Sequence, residues 1–202
     1  MLGPHVEELL YTVTKLGEAG LIAPPVFGAI AALWVVGERR NAGALALAFA
    51  LCLAAIVFSK VLFMFVYRGG PLRSPSGHTA LAAFVYGSFA VLAWKRERLG
   101  ALRYVVAALC AAIVLAVAVS RYEIGGHSRT ETAFGLIYGI AAVLFLERRF
   151  VWRPHARVSV ALSAAAGFVV MLAAYFVLAL GYFDEDAISD FADWLRGLAA
   201  RA

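Results

Sequence analysis

The chain has 202 residues, of which 63% are hydrophobic, with a mean hydropathy of +0.84 and a net charge of +5. Soluble domains run at about 45–50% apolar, so this composition excludes an ordinary water-soluble globule. Two cysteines, Cys52 and Cys110, each inside an apolar run, exclude a disulfide framework and a CxxC metal site.

The N-terminal stretch MLGPHVEELLYTVTKLG has neither a basic opening nor a short apolar core, so a cleaved signal peptide is not expected. Over residues 4–19, Val6, Leu9, Leu10, Val13 and Leu16 share one helical face, with Glu7, Glu8, Lys15 and Glu18 off it. That pattern predicts an amphipathic helix, lying in the membrane interface or capping a bundle end. Spanning helices are then predicted at Leu21–Val36, Gly43–Tyr67, His78–Trp94, Leu102–Val119 and Thr130–Leu146, with a sixth at Val158–Leu180. Residues 184–202 repeat the amphipathic pattern through Ile188, Phe191, Trp194, Leu195 and Leu198. Short connections make this one all-α membrane domain over residues 1–202, a six-helix bundle with an amphipathic helix at each end.

Charge sets its orientation. The connections after the first, third and fifth helices hold ten of the eighteen basic residues (Arg39, Arg40, Lys95, Arg96, Arg98, Arg103, Arg148, Arg149, Arg153 and Arg157) and only three acids. By the positive-inside rule this side is cytoplasmic, and both termini face outward. The basic pI is therefore a topology signal, and a nucleic-acid partner is not expected. Trp34, Trp94 and Trp152 fall near the cytoplasmic boundary, as an aromatic belt would.

The opposite side carries a cluster that topology does not explain. Lys60 interrupts the second apolar run, where a charge at mid-membrane costs about 2.5–3.5 kcal/mol. At about 1.5 Å per residue it lies roughly 26 Å beyond Gly43, near the outer boundary. The next loop, YRGGPLRSPSGHTA, brings Arg68 and Arg73, and ends in a helix start where Ser74 or Ser76 can cap and Pro75 is tolerated in the first turn. Backbone N–H groups at such a start form an anion site, beside which His78 places a proton donor. The loop SRYEIGGHSRTE adds Arg121, Glu123, His127, Arg129 and Glu131. His127 and Glu131 are four apart, so on a helix start they share a face, and a carboxylate on one imidazole nitrogen makes the other a better nucleophile.

PSGH at Pro75–His78 and SR-x5-H at Ser120–His127 resemble the second and third signature motifs of the type 2 phosphatidic acid phosphatase superfamily. The resemblance covers roughly residues 55–140, as a catalytic core. The first motif departs from the family's Lys-x6-Arg-Pro: Lys60 and Arg68 are separated by seven residues, so either a one-residue bulge restores the geometry or Arg73 replaces Arg68. Glu131 stands where the family usually has Asp.

The resemblance implies a nucleophilic His127 oriented by Glu131, with His78 as acid and then base. Lys60, Arg68 and Arg121 would hold the phosphoryl oxygens, helped by the backbone N–H groups of Ser76 and Gly77. It implies no cofactor and no metal, three cations taking the place of Mg²⁺. The substrate implied is a lipid phosphate or diphosphate at the outer face of the inner (plasma) membrane, such as undecaprenyl diphosphate, phosphatidylglycerol phosphate, phosphatidate or lipid A. A lipid phosphotransferase using the same site, a vanadate-dependent haloperoxidase and an inactive lipid-binding protein are the alternatives.

Overall fold

A computed structural model describes residues 3–66, 74–94, 99–151 and 194. The predicted helix at 158–180 and the C-terminal amphipathic helix lie outside the described residues, apart from Trp194, as do Arg68 and Arg73. Among the described residues every regular element is helical: α1 Pro4–Thr14, a 3₁₀ turn Lys15–Gly17, α2 Ala19–Val35, α3 Arg39–Val66, α4 Gly77–Trp94, α5 Leu102–Glu123 and α6 Arg129–Arg149. Four described stretches are long and apolar enough to cross a membrane: Pro4–Val35, Arg39–Phe63, Leu102–Glu123 and Arg129–Arg149. In α4 the apolar stretch Gly77–Val91 is shorter.

The N-terminal segment differs from an isolated interfacial helix. α1 packs on α5, and the 3₁₀ turn packs on α4. It also runs on into α2 through Glu18 alone, so the two form one apolar stretch.

The core lies where α2, α3, α4 and α6 meet. Ile22 and Val26 face Phe49, Cys52 and Ile56, which pack with Leu81, Phe84, Val143 and Leu146. Phe49 stacks on Phe84 at 5.8 Å between centroids, and Phe27 meets Phe49 edge-on at 5.7 Å.

Between α4 and α6 the backbones themselves approach. A Cβ on Gly139 would collide with the Ala80 carbonyl oxygen and lie 2.5 Å from the Ala83 Cβ. One turn earlier, a Cβ on Gly135 would lie 2.5 Å from the Ser76 carbonyl oxygen. Lipid tails are as apolar as leucine, so helices in a bilayer associate through such close packing of small residues rather than by escaping water.

The end of the bundle opposite the two motifs is tied by Asn41, which is fully buried. Its Oδ1 accepts from the Val151 N–H at 2.8 Å, while its Nδ2 donates to the Val151 carbonyl at 3.1 Å and to Glu38 Oε2 at 3.1 Å. At this same end arginines lie over aromatic rings: Arg39 over Trp34, Arg149 over Phe145, and Arg103 over both Trp94 and Tyr104.

Candidate active site

Both motifs sit at helix starts, and a backbone hydrogen bond joins them. Ser76 precedes α4, and its Oγ accepts from the Thr79 N–H at 3.4 Å and the Thr79 hydroxyl at 3.0 Å, which makes it the cap. Pro75 therefore lies before the cap and outside the first turn, a correction to the sequence reading. The Ser76 N–H donates to the Glu131 carbonyl oxygen at 3.0 Å. An amide has one proton, so this N–H is occupied and does not serve as the phosphate donor expected of it. It holds the start of α4 against the start of α6 instead.

Glu131 is the centre of the second motif. Its side chain is 5% exposed, and Oε2 accepts from His127 Nδ1 at 3.1 Å and from the Ser128 N–H at 2.9 Å. Ser128 Oγ in turn accepts from the Glu131 N–H at 3.3 Å, completing a reciprocal capping box. That box calls for Glu or Gln three residues after the cap, which gives a local reason for Glu131 where the family usually has Asp. The bond to Nδ1 selects the imidazole tautomer whose lone pair is on Nε2.

The spacing of SR-x5-H is set by the end of α5. Gly125 has φ +71°, in the left-handed region that favours glycine, and turns the chain back on itself. The His127 N–H then donates to the Arg121 carbonyl at 3.0 Å, so the first and last charged residues of the motif are bonded through their backbones. A Cβ on Gly126 would lie 3.2 Å from Arg121 Cζ and Nη2, so the guanidinium rests against that glycine. Arg121 Nε is buried and has no hydrogen-bond partner among the described residues. Leaving a buried charged donor unsatisfied is costly, and the position calls for an anion.

Lys60 and Arg121 stand at matching heights. Ile56 Cγ2 lies 3.4 Å from where a Gly77 Cβ would be, and Lys60 follows Ile56 by one turn on the same face of α3. Val117 and the His78 carbonyl both border Gly17, and Arg121 follows Val117 by one turn on α5. Each cation thus lies about 6 Å further along its helix than the level of the α4 start. That is where the positive end of the α4 dipole and its leading amides favour an anion. The structure thus brings together Lys60, Ser76, Gly77, His78, Arg121, His127 and Glu131 at one end of the bundle. Arg129 is turned to the Tyr122 ring at 4.8 Å. Among the described residues no three His, Cys, Asp or Glu side chains are grouped to hold a metal ion.

Sequence reasoning missed three contributors: Gly135 and Gly139, whose GLIYG spacing was the available signal, and Gly17, which touches the His78 carbonyl without any motif to announce it.

No curated protein and no solved structure matches the chain. Residues 61–155, which contain PSGH and SR-x5-H whole, match the family model of the PAP2 superfamily. This motif-bearing segment belongs to the PAP2 superfamily, that of the type 2 phosphatidic acid phosphatases.

Proposed function

We propose that the protein is a membrane lipid phosphate or diphosphate phosphatase that works through a phosphohistidine on His127. The observation that carries this reading is the Glu131 Oε2 to His127 Nδ1 bond at 3.1 Å, in a segment belonging to a phosphatase family. The buried Arg121 Nε, without a hydrogen-bond partner among the described residues, supports a phosphoryl group as the occupant. In the first step His127 Nε2 attacks phosphorus and the bond to the lipid oxygen breaks, that oxygen taking a proton from His78. In the second, water gives a proton to His78 and its oxygen displaces His127 from phosphorus. Lys60 and Arg121, with Arg68 or Arg73 and the Gly77 amide, hold the phosphoryl oxygens and stabilise the charge that builds on them.

The site lies at the end opposite the basic connections, which supports an outer-face reaction on a lipid whose tail lies among the helices. On this reading the chain has six spans in one domain with both termini outside, the sixth being the one expected from the sequence at 158–180, beyond the described residues. No metal takes part in this reading.

Phosphate release from a panel of lipid phosphates, measured with EDTA present and beside His127→Ala, tests it. Release that survives EDTA and is abolished in the variant, together with an acid-labile phosphoenzyme, is the expected result. Release that continues in His127→Ala would refute the nucleophile. Phosphate passed to an acceptor lipid instead of water would make the protein a phosphotransferase.

A further inference from the structure

We infer that the 3₁₀ turn Lys15–Gly17 is a working part of the site, a seat that fixes the height at which His78 delivers its proton. This inference rests on the phosphatase reading above. Gly17 is buried, and a Cβ there would lie 2.5 Å from the His78 carbonyl oxygen, 3.0 Å from its carbonyl carbon and 2.9 Å from Val117 Cγ1. Backbone on one side and a branched side chain on the other leave no flexible group to give way. Tyr86 adds a second tie from further along α4, its hydroxyl donating to the Leu16 carbonyl at 3.2 Å.

The first turn of α4 is therefore held from three directions. α6 holds it through the Ser76 N–H to Glu131 bond, α3 through Ile56 against Gly77, and the N-terminal segment through Gly17 against His78. The third contact is made to His78 itself. An acid works within about 2.6–3.2 Å of the oxygen it protonates, and a misplacement of about 1 Å can cost on the order of 100-fold. Gly17 and Tyr86 are positioning residues, acting through His78.

Position of the acid is read by the leaving group. An alkoxide needs its proton as the phosphorus–oxygen bond breaks, whereas p-nitrophenolate leaves readily without one. The quantity to compare is kcat/KM, which reports the step that forms the phosphoenzyme. For Gly17→Ala, kcat/KM should fall about 10–100-fold on a short-chain phosphatidate and less than about threefold on p-nitrophenyl phosphate. His78→Ala should show the same selectivity more strongly. Tyr86→Phe keeps the ring and removes only the donor, so it should shift in the same direction by a smaller factor, and it decides the matter where Gly17→Ala does not fold. Equal losses on both substrates, or none in either variant while the wild type turns over both, would overturn the seat and leave the phosphatase reading standing. If the wild type does not turn over phosphatidate, the lipid of the panel that it turns over best takes its place, and a wild type that turns over no lipid of the panel would overturn both.

Discussion

Replacing Glu131 by Gln separates charge from geometry at the candidate nucleophile. One oxygen, Oε2, receives both His127 Nδ1 and the Ser128 N–H. A glutamine seated with its amide oxygen at that point keeps both bonds, because the Ser128 N–H rejects the amide nitrogen there. The tautomer of His127 is then preserved, and the capping box accepts Gln as readily as Glu. What is lost is the negative charge. A hydrogen bond to a charged group contributes about 1.5–3 kcal/mol against about 1 for a neutral one, and the difference grows as His127 becomes cationic on phosphorylation. With about 1.4 kcal/mol per factor of ten, kcat should fall roughly 10–100-fold. That is well short of the loss of about 10⁴ that follows when the corresponding change forces the wrong tautomer in a serine-protease triad. Phosphate release under saturating lipid phosphate, with thermal unfolding in detergent as the control, measures it. A variant within about threefold of wild type would show that the carboxylate charge plays no part. A variant as dead as His127→Ala would show that the shared-oxygen argument is wrong.

Arg121→Lys should lower kcat/KM by on the order of 100-fold in the same assay, because an ammonium supplies neither the fork nor a donor at the buried Nε position. Gly139→Ala should destabilise the protein by about 1–3 kcal/mol, read as a lower unfolding temperature, since its Cβ would enter the space of the Ala80 carbonyl and Ala83. Asn41→Ala should cost about 2–4 kcal/mol by stranding the Val151 N–H and carbonyl. Activity of the folded Asn41→Ala fraction should stay near wild type, because the tie lies at the far end from the histidines.

What the sequence made legible was local. The four-residue step from His127 to Glu131 forecast a contact, and the structure has that bond, although His127 precedes the Ser128 cap and Glu131 reaches back to it rather than sharing a helical face with it. Counting helical rise from Gly43 put Lys60 near the outer end of its helix, and the structure sets it one turn past Ile56, which packs against Gly77. Helix ends were less legible: α3 starts at Arg39 rather than Gly43, and α5 runs to Glu123, carrying Arg121 within its last turn. Charged and polar ends continue a helix as well as apolar ones do, so hydropathy marks the membrane crossing and not the helix. Long-range contacts were not legible at all. Nothing near Ser76 in the chain says that its amide meets a carbonyl 55 residues later, nor that Gly17 abuts His78. The predicted helix at 158–180, Arg68 and Arg73 lie outside the described residues.

The contact of α4 with α6 has a consequence for how a lipid reaches the site. Where a single methyl group cannot fit, as at Gly135 and Gly139, an acyl chain cannot pass, so the seam between these helices is closed to the substrate. Because α4 carries His78 and α6 leads from His127, the same close contact ties together the two helices on which the histidines depend. On the lipid-phosphatase reading, the tail therefore reaches the histidines by a route other than the α4–α6 seam at Gly135 and Gly139.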